Sequence, residues 1–223
     1  MFVRMWMTSD VITAPPEMPI LDAREVMRKH GVRRLPVVNK RGKLVGIVTQ
    51  GDIQEAGPSD ATTLSIWELN YLLARTTLEQ IMTGEKELLT VSPDDLIEQA
   101  ALLMRKHRIS GLPVVDNKNK LKGIITESDI FEVLLELMGI RKGGTRLTVE
   151  IENEPGSLSQ VLAVIKTNNV NVFSVVTCEE CRTTHESGVV VLRLATNDWR
   201  PLVKQLKDQK IKVLDARSME GAL

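Results

Sequence analysis

Hydrophobic positions along the chain alternate between helical and strand-like spacing. Over Ile20 to Lys29 the apolar residues Ile20, Ala23, Val26 and Met27 recur three and four apart, which predicts a helix. Leu35 to Asn39 and Leu44 to Thr49 are short apolar runs, and the polar Lys40-Arg41-Gly42-Lys43 between them reads as a hairpin turn. A β-branched stretch from Asp10 to Ala14 reads as a leading strand that Pro15-Pro16 ends, and another helix begins at Asp52. The unit is strand, helix, strand, strand, helix. Leu96 to Lys106, Leu112 to Asp116, Leu121 to Thr126 and Ser128 to Met138 repeat it, with a turn at Asn117-Lys118-Asn119-Lys120. In this second unit Ser92-Pro93-Asp94-Asp95 reads as an N-cap, a proline at the first helical position and acids in the first turn.

The two units share residues as well as pattern. Gly46-Ile47-Val48-Thr49-Gln50-Gly51-Asp52-Ile53 returns 77 residues later as Gly123-Ile124-Ile125-Thr126-Glu127-Ser128-Asp129-Ile130. Leu35-Pro36-Val37-Val38 returns as Leu112-Pro113-Val114-Val115, and Thr13 and Pro16 as Thr90 and Pro93, at the same shift. Met7-Thr8 returns as Met82-Thr83. One register held over so many positions is internal duplication. Two copies are too few for a solenoid and imply a pseudo-symmetric pair. Between them lie a loop from Pro58 to Ser65 and an apolar helix from Ile66 to Leu73. Trp67 and Tyr71 on that helix serve a lid, a subunit contact or local core.

Beyond Gly139 and Gly143-Gly144 the pattern changes. Arg146 to Glu152 alternates as a strand with Leu147, Val149 and Ile151 on one face, and Glu154-Pro155-Gly156-Ser157 is a turn. Leu158 to Thr167 is a helix, Val170 to Cys178 and Gly188 to Ala195 are strands, Trp199 to Asp208 is a helix and Ile211 to Ala216 a last strand. The order is βαββαβ, the ferredoxin-like plan. The fold class is α/β (α+β): a tandem pair plus a C-terminal ferredoxin-like domain, divided as 1–57, a connecting loop and helix at 58–78, 79–140 and 145–217.

The composition changes little in this picture. Over 223 residues, Lys+Arg and Asp+Glu balance at 29 each, so there is no general attraction to nucleic acid or anionic membrane. The first residues lack the apolar stretch of a signal peptide, and no run is long enough to span a bilayer. Two cysteines are too few for a disulfide framework. The expected location is the cytoplasm. There is no P-loop, no G-x-S-x-G elbow and no His-Glu-x-x-His, so no catalytic residues are assigned and an enzyme is not expected.

The duplicated Gly-apolar-apolar-Thr-x-(Gly/Ser)-Asp-Ile segment, preceded by Leu-Pro-Val-Val and a turn, resembles the CBS domain, over about Met7 to Ala56 and Gln80 to Gly139. The resemblance implies a flattened tandem with two clefts for adenine nucleotides or related adenosyl compounds. The residues suit that chemistry. Thr49 and Asp52, and equally Thr126 and Asp129, sit where a strand runs into a helix whose free N–H groups favour phosphate. The threonine can donate to phosphate, and the aspartate can accept from both ribose hydroxyls. The same residues would also serve as helix caps without any ligand. Ile12, Leu89, Val48 and Ile125 could sandwich the adenine, and Thr13 and Thr90 lie where the family's backbone meets the base edge. Arg33-Arg34 precedes Leu35 in the first copy and Ser110-Gly111 precedes Leu112 in the second. In the family this position can face phosphates, so the expectation is two inequivalent clefts, the one that receives Arg33 and Arg34 preferring the phosphate-rich ligand; otherwise the arginines form a solvated basic edge. AMP, ADP, ATP, NAD-type ligands and S-adenosylmethionine all remain open. No cofactor is required in this reading.

The opening of the third region, Arg146 to Leu158 with Asn153-Glu154-Pro155-Gly156-Ser157, is similar to an ACT domain. The resemblance implies edge-to-edge association and an amino-acid effector near the loop of Asn153, Gly156 and Ser157. The alternative is a plain turn in a unit that only dimerises. Cys178-Glu179-Glu180-Cys181, with His185 close by, has a usable metal or redox spacing, but the two acids disfavour thiolates; a reduced hairpin tip is expected, and no metal. His30 and His107 each follow a lysine near a helix C-terminus, where a cation suits the helix dipole.

Two CBS units, the Trp67 to Leu73 helix and a terminal ACT-like unit, with Met5-Trp6-Met7-Thr8 and Ala61 to Ser65, resemble the acetoin utilisation protein B family. The implied protein is a non-catalytic regulator that senses adenine nucleotides or adenosyl ligands and signals through a homodimer or a protein target, in acetoin or carbon metabolism. The alternative is an amino-acid sensor acting through the ACT domain with the CBS pair as scaffold. No nucleic-acid or membrane partner is expected.

Overall fold

In the computed structural model residues 1–57, 73–178 and 187–220 are described. Trp67, Tyr71, Cys181 and His185 lie outside them. The chain divides into two compact units, Met1–Ile130 and Phe131–Leu223. Among the described residues no helix is long and apolar enough to cross a membrane.

The first unit is built from matched halves. Helix α1 (Ile20–His30) leads to strands β1 (Arg34–Val38) and β2 (Leu44–Thr49) and helix α2 (Gln50–Glu55). After the short α3 (Leu78–Ile81) and β3 (Thr83–Gly84), helix α4 (Ile97–His107), strands β4 (Gly111–Val115) and β5 (Leu121–Thr126) and the first turn of helix α5 (Glu127–Leu137), which runs on past the end of the unit, repeat the order. Both hairpins carry an irregularity at the same place, between Val37 and Val38 and between Val114 and Val115. In the first half, Ile20, Ala23 and Met27 of α1 pack on Leu35, Val37 and Val48.

Two expectations change. The leading segments are not strands: Ala14 and Val91 each make only a single parallel bridge, to Val37 and Val114. Pro15 and Pro16 supply no amide donor to extend the first ladder. Ser92 is also not the cap of α4. Its amide is held by Asp95 Oδ2 at 2.8 Å within a separate turn, and the helix starts after Leu96, whose amide donates to Gln99 Oε1 at 3.3 Å.

The halves exchange their leading segments. Met82-Thr83-Gly84 comes from the second repeat yet pairs with Gly46 and Ile47 of β2. Thr8 comes from the first repeat yet exchanges backbone hydrogen bonds with Ile124 of β5, both at 2.9 Å. Gly46 and Gly123 make this possible. A Cβ on Gly46 would lie 2.5 Å from Met82 Sδ, and one on Gly123 would lie 2.7 Å from Met7 Sδ. The two hairpin turns also meet, where Leu44 donates to the Asn119 carbonyl at 3.1 Å and Asn119 Nδ2 returns a bond to the Leu44 carbonyl at 3.0 Å.

The second unit is an antiparallel sheet of β6 (Gly144–Glu152), β7 (Val172–Cys178), β8 (Ser187–Leu194) and β9 (Lys212–Met219), in the order β7-β8-β6-β9. Helices α6 (Ser157–Thr167) and α7 (Arg200–Asp208) complete the βαββαβ plan. Leu147, Val149, Val190, Leu192 and Leu194 of the sheet pack against Val161, Val164 and Ile165 of α6 and Leu202 and Leu206 of α7. This is the alternation read from the sequence, with one face of each strand under the helices.

Candidate ligand-binding site

Thr49 and Thr126 occupy the same place in their halves, the last residue of a strand and the residue before a helix. Thr49 is the N-cap of α2 and Asp52 its third residue, and the two form a reciprocal capping box. The Thr49 amide and hydroxyl both donate to Asp52 Oδ2, at 2.7 and 2.9 Å, and the Asp52 amide donates to Thr49 Oγ1 at 3.3 Å. Thr126 and Asp129 reproduce this with distances of 2.7, 2.7 and 3.4 Å. The capping role read from the sequence is therefore real.

The caps engage one oxygen of each aspartate and the hydroxyl of each threonine. Every bond that these carboxylates accept falls on Oδ2, which leaves Oδ1 of Asp52 and of Asp129 without a described partner. A carboxylate accepts only, so it is the threonine hydroxyl that gives its proton to the aspartate. A phosphate contact by Thr49 or Thr126 would have to draw the hydroxyl proton away from this bond. The expectation for Val48 and Ile125 is corrected: both are fully buried, with no surface to offer an adenine ring. Strand alternation puts Ile47, half-buried, on the Thr49 side instead. Ile12, Leu89, Thr13 and Thr90 are half-buried beside the single-bridge residues Ala14 and Val91.

The two arginines have separate placements. Arg33 is exposed, and its carbonyl accepts the first amide of α2, that of Gln50, at 2.9 Å. Arg34 crosses to the other repeat, where its Nη2 donates to Ser110 Oγ at 2.6 Å. Its guanidinium fills the space beside Gly111, where a Cβ would collide with Nη1. Arg34 and Gly111 are the same position of the two repeats, 77 apart, so they meet at the pseudo-twofold axis. A side chain at position 111 would displace that guanidinium. Burial lowers the Arg34 pKa, with the Glu127 carboxylate opposing and Arg33 adding to the shift. Glu127 was not picked out from the sequence, and Gly111 was read only as the counterpart of Arg34 in the other cleft, not as the space that Arg34 fills. The shift of 77 contained the signal, because equivalent positions near such an axis become neighbours.

In the second unit Asn153 is exposed, and Gly156 stands at φ +99° immediately before α6, a conformation that glycine adopts without strain. Nothing lies within 4 Å of where its Cβ would be, so its role within the chain is the turn. Ser157 begins the helix. His30 and His107 end α1 and α4, as the dipole argument requires. Cys178 closes β7 and is disulfide-bonded, against the expectation of a reduced thiol. Among the described residues no group of three His, Cys, Asp or Glu side chains could hold a metal.

Comparison with known proteins agrees with this architecture. Residues 3–59 and 78–136 match the CBS domain, together just over half of the chain, and residues 143–217 match the TTHA0829-like ACT domain. The chain belongs to the CBS-domain family, as a tandem pair followed by a C-terminal ACT domain. Among solved structures it is similar to a putative acetoin utilization protein (AcuB) from Vibrio cholerae, at 30% identity and a TM-score of 0.52, over 64% of this chain and 96% of that one. It is also similar to CBSX2 of Arabidopsis thaliana, solved in complex with AMP, at 28% identity and a TM-score of 0.50, over 60% of this chain and 96% of that one. A curated relative is the L-aspartate semialdehyde sulfurtransferase of Methanocaldococcus jannaschii, 33% identical over 56% of this chain and 22% of the relative. The chain spans 22% of the length of the first curated relatives it matches.

Proposed function

We propose that the paired repeats bind an adenine nucleotide or adenosyl compound and that the protein is a non-catalytic regulator. The observation that carries this is the repeated aspartate. Asp52 and Asp129 each spend one oxygen on the helix cap and keep the other for ribose hydroxyls. Arg34, between the halves, supplies the charge for phosphate, with Arg33 at the exposed rim. Thr13 and Thr90 are assigned to the base edge in this reading, and Ser110 holds the Arg34 guanidinium. The likeness to an AMP-bound CBS pair supports the ligand class. The likeness to the Vibrio cholerae protein supports a role in acetoin or carbon metabolism. The proposed form is a cytoplasmic homodimer that passes the signal to a protein target. The working domains are 1–57, 79–140 and 145–217, with 58–78 connecting the first two. Bound nucleotide regulates only by its difference in affinity for two arrangements of the pair.

Calorimetry with AMP, ADP, ATP and S-adenosylmethionine tests the reading on the wild type, Asp52→Asn and Asp129→Asn. Asparagine keeps an acceptor for the cap but loses the second one for ribose. Loss of a hydrogen bond to a charged group costs about 1.5–3 kcal/mol, roughly ten- to a hundredfold in affinity. If no adenosyl compound binds, or both variants bind as the wild type does, the reading fails. Amino acids belong in the same panel, because the exposed, uncapped loop of Asn153, Gly156 and Ser157 is the competing effector site.

A further inference from the structure

The C-terminal sheet has one face under α6 and α7 and one turned away from them. On the second face three arginines stand side by side. Arg146 of β6 is in direct register with Arg193 of β8 and with Arg217 of β9, and residues directly opposite across antiparallel strands share a face. Among the described residues one carboxylate answers them, since Glu150, farther along the same face of β6, is paired with Lys212 at 2.9 Å. Asp215 accepts two bonds from Arg217, both at 2.8 Å, and its Oδ2 lies 3.3 Å from Arg146 Nη1.

Arg193 has no such partner. It is 4% exposed, and its Nε and Nη1 are without hydrogen-bond partners. Its Nη2 reaches only the Met219 thioether at 3.6 Å, a weak acceptor. Burial, with the Arg146 charge second, lowers its pKa from the usual arginine value. The Thr148 hydroxyl, 8% exposed and also unpartnered, belongs to the same face, two residues beyond Arg146 and in register with Asp215. Exposure of the arginine side chains rises along the row, from buried Arg193 to 35% at Arg146 and 65% at Arg217, so the cluster opens to solvent at one end.

We infer that this face is an oxyanion-binding site, with Arg193 at its floor, Thr148 and Arg146 beside it and Arg217 at its mouth. An uncompensated guanidinium with two unsatisfied donors is costly to bury, and a bound anion removes both costs. The Arg193 nitrogens left to bond are donors only and the Thr148 hydroxyl can donate as well, so a ligand rich in acceptors satisfies them. Three cations against one anion leave two charges to neutralise. A compact dianion, phosphate or a dicarboxylate, meets both demands, and displacing the Met219 sulfur gives it a two-pronged contact with the guanidinium.

The test uses the full chain. Thermal shift and calorimetry are run with sodium phosphate and with sodium succinate, against sodium chloride at equal ionic strength, on the wild type, Arg193→Met, Arg217→Gln and Arg34→Gln. One of the two anions is expected to raise the midpoint of the wild type; phosphate alone assigns a phosphoryl ligand and succinate alone a carboxylate one. Arg193→Met raises the anion-free midpoint, because the unpaired buried charge is gone, and weakens binding by about tenfold or more. Arg217→Gln, at an exposed position, weakens it severalfold and carries the test should Arg193→Met not fold. Any part of the phosphate response lost at Arg34→Gln belongs to the contacts proposed for the CBS pair, and the part lost at Arg193→Met and Arg217→Gln belongs to this site. The inference is overturned if neither anion acts beyond chloride, or if the response survives at Arg193→Met and Arg217→Gln and is lost at Arg34→Gln.

Discussion

Gly111 is the position at which the pseudo-twofold axis can be tested most directly. The backbone there does not need glycine, since its φ is not in the left-handed region. What excludes a side chain is the Arg34 guanidinium, which a Cβ would strike at Nη1 and approach to 2.9 Å at Cζ, with the Ile125 carbonyl oxygen at 3.2 Å behind it. In Gly111→Ala the arginine must leave, and its 2.6 Å bond to Ser110 Oγ goes with it. Overpacking of this kind costs about 1–3 kcal/mol. Arg34→Ala alone loses the Ser110 bond, about 1 kcal/mol. In the double variant the obstacle is absent and the hydrogen bond is lost only once, so the two effects should couple by about 1 kcal/mol or more. Urea unfolding of all four proteins, with midpoint and slope fitted separately, measures this. Additivity to within about 0.5 kcal/mol would show that the two positions do not share a site and would refute the argument.

Gly123→Ala should cost about 1–3 kcal/mol in the same assay, because the new Cβ meets the Thr8 carbonyl oxygen at 2.9 Å as well as Met7; Gly46→Ala should match it through Thr83 and Met82. Thr49→Val and Thr126→Val should each lose about 1 kcal/mol by removing the hydroxyl of a capping box, measured by urea midpoint. Asp215 has its pKa lowered from 3.8, first by its hydrogen bond with Arg217. A carboxylate depressed in the folded state stabilises it above the unfolded value and loses that contribution as pH falls through the lower folded value. The unfolding midpoint should therefore fall below about pH 4, and Asp215→Asn should flatten that part of the profile; a wild-type slope in the variant would exclude the pair as its source.

The sequence by itself determined the two-copy architecture, the βαββαβ order of the second unit and the placement of Thr49, Asp52, Thr126 and Asp129 at strand–helix junctions. Each of these follows from local spacing or from repetition, which a chain displays before it folds. Tertiary structure alone decided which groups remain available. It committed the threonine hydroxyls to the aspartates, buried Val48 and Ile125, and carried the Met7 and Met82 segments to the opposite hairpins. It also brought Arg34 against Gly111 and lined up Arg146, Arg193 and Arg217 from strands far apart in sequence. Contacts of this sort depend on which face a strand turns to the core and on which distant segment arrives there. No local pattern of polar and apolar residues encodes that arrival, because it is settled by the packing of the whole unit.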